Sequence, residues 1–328
     1  MTTPSPPSSF PAHPNIRPFD IRRDLTAVAD LVELCFAGSL DEDGRRYVRQ
    51  MRATARSTRL LGWIAATGDS TIMPLNGYVW EENGALVGNL SLLPAAIQGQ
   101  RTFIIANVAV YPHYRRQGIA RNLTHTALSH IERRKIKSSW LQVDQHNSAA
   151  IDLYLSLGFL ERARRTTWHN RRSAPPTTLT LPPDIKIKRR PAYVWPQQRA
   201  WLQQIYPPLI SWHLPLNLSL FQAGMVGTAT RFVSDRRTRQ WAAFRGEQLL
   251  GVLSWQNSYA QADRLWLATS PQHEELAVLS LLPHARRKFS MRRRMSLNYP
   301  AGRAVDAIQQ TGFVNHQTLI WMERPSNL

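Results

Sequence analysis

The chain has 328 residues, 43% of them hydrophobic, and a formal charge of +19 from 41 Lys and Arg against 22 Asp and Glu. No apolar run approaches the roughly 20 residues of a membrane span, so no membrane partner is expected, and the length suits two globular domains of about 150 residues each. A single cysteine, Cys35, excludes an internal disulfide, no Cys/His spacing matches a metal cage, and a reducing, cytoplasmic setting is expected.

The opening stretch MTTPSPPSSFPAHP has neither the basic start nor the apolar run of a secretory signal, and 1–14 reads as a disordered tail. The pattern then gives a strand at 15–19, a helix at 25–36, a basic helix at 45–55 and two strands flanking a turn at 82–84. Leu31, Leu34 and Cys35 share helical spacing, so Cys35 reads as a core residue rather than a nucleophile. A strand at 103–110, a helix at 117–134, a strand at 140–143 and a helix at 148–157 follow. This order describes an α/β fold with a mixed sheet covered by helices. The Pro, Thr and Ser of 170–184 read as a linker, placing one domain at 15–172, the linker proper at 173–184 and a second domain at 185–328.

The second half repeats the first. WLQVDQHNSAAIDLYLSLGF, ending at Phe159, lies over RMSLNYPAGRAVDAIQQTGF, ending at Phe313, and GALVGNLSLL is answered by GEQLLGVLSW.

The stretch NVAVYPHYRRQGIARNLTHTALSHIERR carries the chemistry. A β-branched strand turns through Pro112 into Arg115, Arg116, Gln117, Gly118, Ile119 and Ala120 and enters an amphipathic helix. The first turn of a helix presents unpaired N–H groups and the positive end of its dipole, which suits a pyrophosphate. Gly118 and Ala120 permit close approach, and Arg115, Arg116 and Arg121 add charge. The stretch resembles the acetyl-CoA signature of the GCN5-related N-acetyltransferase (GNAT) superfamily: Q or R, two residues, G, one residue, then G or A, after a strand ending V-x-P-x-Y. Val110, Pro112 and Tyr114 match the lead-in. A second family element, Asn followed by a helix ending in GF, matches Asn147, Ala149, Ala150, Ile151, Leu153, Tyr154, Gly158 and Phe159. By eye the first half is most similar to the ribosomal-protein-alanine acetyltransferase branch.

The resemblance implies acetyl-CoA as co-substrate, with no metal, and a primary amine on a small molecule or protein N-terminus as acceptor; the rival reading is a non-catalytic acyl-CoA-binding or ribonucleoprotein-binding module. It implies that the strand of Val108 and Val110 offers backbone groups to pantetheine and thioester, that Asn147 contacts CoA, and that Tyr154 protonates the leaving thiolate. Read without the family, Asn147 is a helix cap and Tyr154 a core tyrosine. The family's glutamate base is answered by Gln142, and Asn107 stands where other branches place an acid. Asp41, Glu42, Asp43, Glu81, Glu82 and Asp144 remain as bases acting through water.

In the second half Tyr154 is answered by Ile308 and Asn147 by Ala301, while the phosphate loop shrinks to QHEE between Pro271 and Leu276. A degenerate GNAT-like domain without a cofactor is expected. Its basic clusters at 186–190, 236–239 and 286–294 suit either a polyanion or ribonucleoprotein contact or a solvated surface, and its tryptophans read as core.

Overall fold

The computed structural model describes residues 13–38, 42–57, 76–170, 181–210, 214, 216–222, 237–258, 262–289 and 294–326, the side chains of 42 and 43 excepted. The expected tail and linker lie outside the described residues apart from 13–14 and 181–184. Packing divides the chain into two compact units, neither a continuous segment. The first takes Met1–Val143, Asn147–Arg162 and Trp321–Leu328; the second takes Asp144–His146 and Ala163–Ile320.

The first unit begins with β1 (Ile16–Pro18) and α1 (Ile21–Phe36). The helix starts earlier than its apolar periodicity suggests because Asp20 caps it, accepting from Arg22 N–H at 2.9 Å. Arg17 then grips Asp24 through two bonds of 2.6 and 2.8 Å. Leu25, Val28, Ala29 and Val32 pack against Val48 and Met51 of α2 (Glu42–Ala55) and Val79 of β2 (Asn76–Glu82). Cys35 is only half-buried, and its Sγ donates to the Val110 carbonyl at 3.3 Å, so it is an edge residue rather than core.

Asn83 and Gly84, both with positive φ (48° and 79°), turn β2 into β3 (Ala85–Ile97), and Gln98 and Gly99 turn β3 into β4 (Gln100–Val110). Then come α3 (Ile119–Arg133), β5 (Ser138–Asp144) and α4 (Ser148–Ser156). Gly88 lets α3 lie close on the sheet, since a Cβ there would stand 2.9 Å from Ile119 and 3.2 Å from Leu123. The strand order is β1-β2-β3-β4-β5.

The second unit repeats this plan with β6 (Leu160–Asn170), β7 (Ile185–Arg189), α5 (Trp195–Ile205), β8 (Thr238–Arg245), β9 (Gln248–Gln256), β10 (Ala262–Thr269), α6 (Glu274–Phe289), β11 (Arg294–Pro300), α7 (Val305–Gln310) and β12 (Phe313–Pro325). Its order is β12-β6-β11-β10-β9-β8-β7, with β10 and β11 parallel as β4 and β5 are. The equivalent strands β6 and β12 cross over in membership. Residues 163–170 belong to the second unit, where Thr166 bonds Thr318 (2.9 Å), and Trp321–Leu328 belongs to the first, where Arg324 bonds Glu132 (2.9 Å).

The paired GF signals have one cause. Gly158 and Gly312 adopt positive φ (82° and 80°) after α4 and α7, and Phe159 and Phe313 are buried beyond them. At Gly312 a Cβ would lie 2.1 Å from Nη1 of Arg286. Arg286 is therefore not part of a basic surface: it is fully buried, and its Nη1 donates to Thr311 O at 2.7 Å. Among the described residues no helix is long and apolar enough to cross a membrane.

Candidate active site

β4 and β5 pair only at Phe103–Ser139 and Ile104–Trp140. Beyond these pairs the strands part, leaving the β5-facing edge of 105–110 without a strand partner. On its other side β4 stays in register with β3, except for one irregularity. Asn89 pairs with Ala109 and Ser91 with Ala106, so Asn107 and Val108 together oppose Leu90. Asn107 takes φ 51° to make this bulge. Val108 and Val110 are half-buried along the parted edge.

After Val110 the chain is held by Tyr111 N–H to Val87 O (2.8 Å), passes a short turn at Pro112–Tyr114, and swings through left-handed Arg116 (φ 63°) and Gly118 (φ 79°). The first bond of α3 runs from Asn122 N–H to Gly118 O (2.9 Å), and no side chain caps this start. The N–H groups of Ile119, Ala120 and Arg121 thus have no helical acceptor, whereas α1 and α4 are capped by Asp20 and Asn147. Space for an anion is present: a Cβ on Gly118 would meet nothing nearer than Asn122 Nδ2 at 3.8 Å. Arg115, Arg116, Gln117 and Arg121 are exposed around this start, Ile119 is buried and Ala120 half-buried. Arg115 Nε folds back onto Val110 O at 3.1 Å. An uncapped helix start with arginines beside it fits a pyrophosphate.

Asn147 Oδ1 accepts from Ala150 N–H at 3.1 Å, so the oxygen is the helix cap and the amide nitrogen is the group left for a ligand. Tyr154 is 6% exposed, edge-on to Phe159 at 5.8 Å, and burial pushes its phenol well above its ordinary value. It therefore stays protonated across neutral and mildly alkaline pH.

The acidic candidates have other work. Glu81 binds Arg17 (2.7 Å) and Arg23 (2.8 Å), and Glu82 accepts from Asn15 (3.0 Å) and Trp80 (2.8 Å). Asp144 accepts from His146 N–H (2.9 Å) and Gln317 (3.1 Å). Asp41 and the side chains of Glu42 and Asp43 lie outside the described residues. Gln142 holds a buried Nε2 with no hydrogen-bond partner. Three polar residues escaped the sequence reading. Asn89 and Ser91, 1% and 2% exposed, and Tyr47 of α2 all bond to the bulge at Asn107. The signal was there in two polar residues two apart on an otherwise apolar strand.

The equivalent region of the second unit is filled from within. The Glu274 carboxylate, in the first turn of α6, accepts from buried Tyr299 and from Arg303 Nη2 (2.7 Å), while Tyr299 also meets Thr269 (3.1 Å). Basic residues of this unit engage its own rings, Lys188 over Phe244 (4.3 Å) and Arg239 over Phe289 (5.7 Å). Trp201, Trp255 and Trp266 are buried and Trp195 and Trp241 half-buried; Trp212 and Arg236 lie outside the described residues.

Residues 39–159 match the acetyltransferase (GNAT) family. Over 63 residues the chain is 43% identical to the ribosomal protein bS18-alanine N-acetyltransferase of Escherichia coli K12, 19% of this chain and 43% of that protein. Over 162 residues it is 30% identical to the mycothiol acetyltransferase of Thermobispora bispora, 48% of this chain and 50% of that protein. The chain thus spans about half the length of these relatives. The GCN5-related N-acetyltransferase from Sphaerobacter thermophilus superposes with a TM-score of 0.56 at 13% identity, covering 96% of this chain and 97% of that one. The GCN5-related glucosamine N-acetyltransferase region of a fungal multi-domain GH3 β-N-acetylglucosaminidase gives 0.56 at 12%, covering 96% and 38%. These two likenesses show the fold.

Proposed function

We propose, on the premise that this chain carries an acetyltransferase (GNAT) family domain, that it transfers an acetyl group from acetyl-CoA to a primary amine. The observation that carries the reading is the parting of β4 from β5 beyond Ile104–Trp140, next to the uncapped start of α3. Backbone N–H groups of Gly118, Ile119, Ala120 and Arg121 hold the pyrophosphate, with Arg115, Arg116 and Gln117 around it. Backbone groups at Val108 and Val110 pair with the pantetheine arm, and Asn147 Nδ2 donates to it. The co-substrate supplies an activated thioester.

In the transfer, the amine nitrogen attacks the thioester carbonyl, the C–N bond forms, and the C–S bond breaks with its electron pair on sulfur. An N–H of β4 beside the bulge donates to the carbonyl oxygen as negative charge grows there. Tyr154, kept protonated by burial, gives its proton to sulfur. With Gln142 in place of the family's glutamate, the amine proton passes to solvent, and amines of lower pKa react best. An α-amine near 7.7 to 8 is favoured over a lysine near 10.4. The acceptor class is thus a peptide N-terminus or a small weakly basic amine, in a soluble, reducing compartment such as the cytoplasm. The second unit binds no cofactor.

Calorimetry with the full chain should give one acetyl-CoA per chain at micromolar affinity, and CoA-thiol release should depend on an added α-amine peptide. Binding of two equivalents, or release indifferent to every amine in a panel, would overturn the reading.

A further inference from the structure

We propose that Asn89, Ser91 and Tyr47 form a clamp that holds the Asn107 bulge in β4 and so positions the backbone N–H groups that read the acyl group; the proposal rests on the acyl-transfer reading above. Asn89 Nδ2 donates to the Asn107 carbonyl at 2.9 Å, and Asn107 Nδ2 reaches Ser91 Oγ at 3.2 Å and Tyr47 Oη at 3.4 Å. The clamp thus grips both the backbone and the side chain of the one residue of β4 whose φ is left-handed. A left-handed non-glycine residue persists only where its surroundings hold it. Burying an amide and a hydroxyl in a sheet is unfavourable unless each is paired, so Asn89 and Ser91 must have a polar duty, and the bulge is what they bond. The bulge disturbs the β3-facing ladder within the stretch of β4 whose other edge has parted from β5, and its geometry decides which N–H groups face the cleft.

The second unit supplies a control. Gly88 pairs with Trp80 and Val110, and Gly251 pairs with Ala243 and Thr269, so Gly88 and Gly251 are equivalent, as are Asn89 and Val252. Where valine replaces Asn89, the ladder between β9 and β10 runs unbroken from Arg264–Gln256 to Thr269–Gly251, with no bulge. This is also the unit whose α6 start holds a carboxylate. Bulge, Asn89 and anion-competent helix start occur together in one copy and are absent together from the other, where Ser254 keeps the place of Ser91 but bonds Gln198 and Gln240 instead.

These are positioning residues, and their signature is the discrimination between acetyl-CoA and CoA, which differ only in the acyl group. In the whole 328-residue chain, wild type should prefer acetyl-CoA to CoA by a factor of about 3 to 10, the worth of one net hydrogen bond. Asn89→Val, copying the second unit, should bring that ratio to about 1 while CoA itself binds within twofold of wild type. Adding Asn107→Gly, which takes positive φ unaided, should restore much of the ratio; a merely structural Asn89 would show no such rescue. If Asn89→Val does not fold, Ser91→Ala and Tyr47→Phe remove the side-chain half of the clamp and should lower the ratio in part. A folded Asn89→Val protein with an unchanged ratio sinks the clamp and leaves the acyl-transfer reading standing. A wild type that binds neither nucleotide sinks both.

Discussion

The starts of α3 and α6 are equivalent in the repeat and opposite in chemistry. At α3, Gly118 takes φ 79°, no side chain caps the turn, and arginines at 115, 116 and 121 surround it. At α6 the first turn carries Glu274 and Glu275, and Glu274 accepts from Tyr299 and Arg303. Both helices have a positive end that favours an anion. The first is left uncapped; the second carries a carboxylate in its first turn, bonded to Tyr299 and Arg303. The difference teaches that a fold can be copied whole while the chemistry at an equivalent helix start is changed.

The most severe way to test the contrast is to give the first copy the second copy's charge. Gly118→Glu places a carboxylate at the α3 start and forces a side chain into a left-handed position. The space around a new Cβ is open, so charge and backbone strain, not a clash, do the damage. Acetyl-CoA affinity should fall at least about 100-fold, two charge-assisted contacts being lost at about 1.5 to 3 kcal/mol each. Isothermal titration reads this directly, and near-wild-type binding would place the cofactor elsewhere.

Tyr154→Phe separates chemistry from packing in the copy that retains the phenol. Ile308 is buried at the answering place, so an apolar side chain suits that fold. The ring contact with Phe159 survives in the variant, and cofactor affinity should stay within about twofold. The turnover number should drop about 100-fold, the lower end for general-acid catalysis, because a thiolate leaves readily. In the wild type, burial raises the phenol's pKa, so the acid form is present throughout and the rate should rise with amine deprotonation without a falling limb below about pH 10. A full turnover number in the variant assigns the proton to water.

Glu274→Gln tests the plug of the second copy. Tyr299 is fully buried and Arg303 partly so. Replacing their shared acceptor with an amide should cost about 1 to 3 kcal/mol, or a few degrees in Tm. Acetyl-CoA stoichiometry should remain at one per chain. A second binding event in this variant would mean that the plug alone closes that site.

Much of this contrast was legible in the residues. The spacing RRQGIA after VAVYP located a strand, a turn and a helix start because each step is set by local chemistry: β-branched residues, Pro112 and Gly118. The GF repeat at an interval of one domain exposed the duplication for the same reason, a left-handed glycine before a buried phenylalanine. The bulge at Asn107 was not legible, because its partners Asn89, Ser91 and Tyr47 come from another strand and another helix. Arg286 was misread as surface, since only the fold places it against Gly312. The crossed membership of β6 and β12 was equally hidden. Nothing local in either strand says which unit its ends will join.

The finest test concerns Asn147, where a cap and a ligand contact share one side chain. Oδ1 is committed to Ala150 N–H at 3.1 Å, so only the nitrogen is free to recognise pantetheine. Asn147→Asp keeps an oxygen on that N–H and adds a negative charge at a helix N-terminus, where it is welcome. Thermal stability should therefore hold within about one degree. The donor is lost, however, and a carboxylate oxygen now faces the acceptor carbonyl of the arm. One hydrogen bond is worth about 0.5 to 1.5 kcal/mol, so acetyl-CoA should bind about 2- to 12-fold more weakly. Asn147→Ala supplies the counterpart, losing the same affinity together with about 1 kcal/mol of stability from the missing cap. The contrast between the two variants is the measurement. If Asn147→Asp binds acetyl-CoA as wild type does while Asn147→Ala loses only stability, the residue is a cap and nothing more. Ala301, its answer in the second copy, would then mark the loss of a cap and not the loss of a cofactor contact.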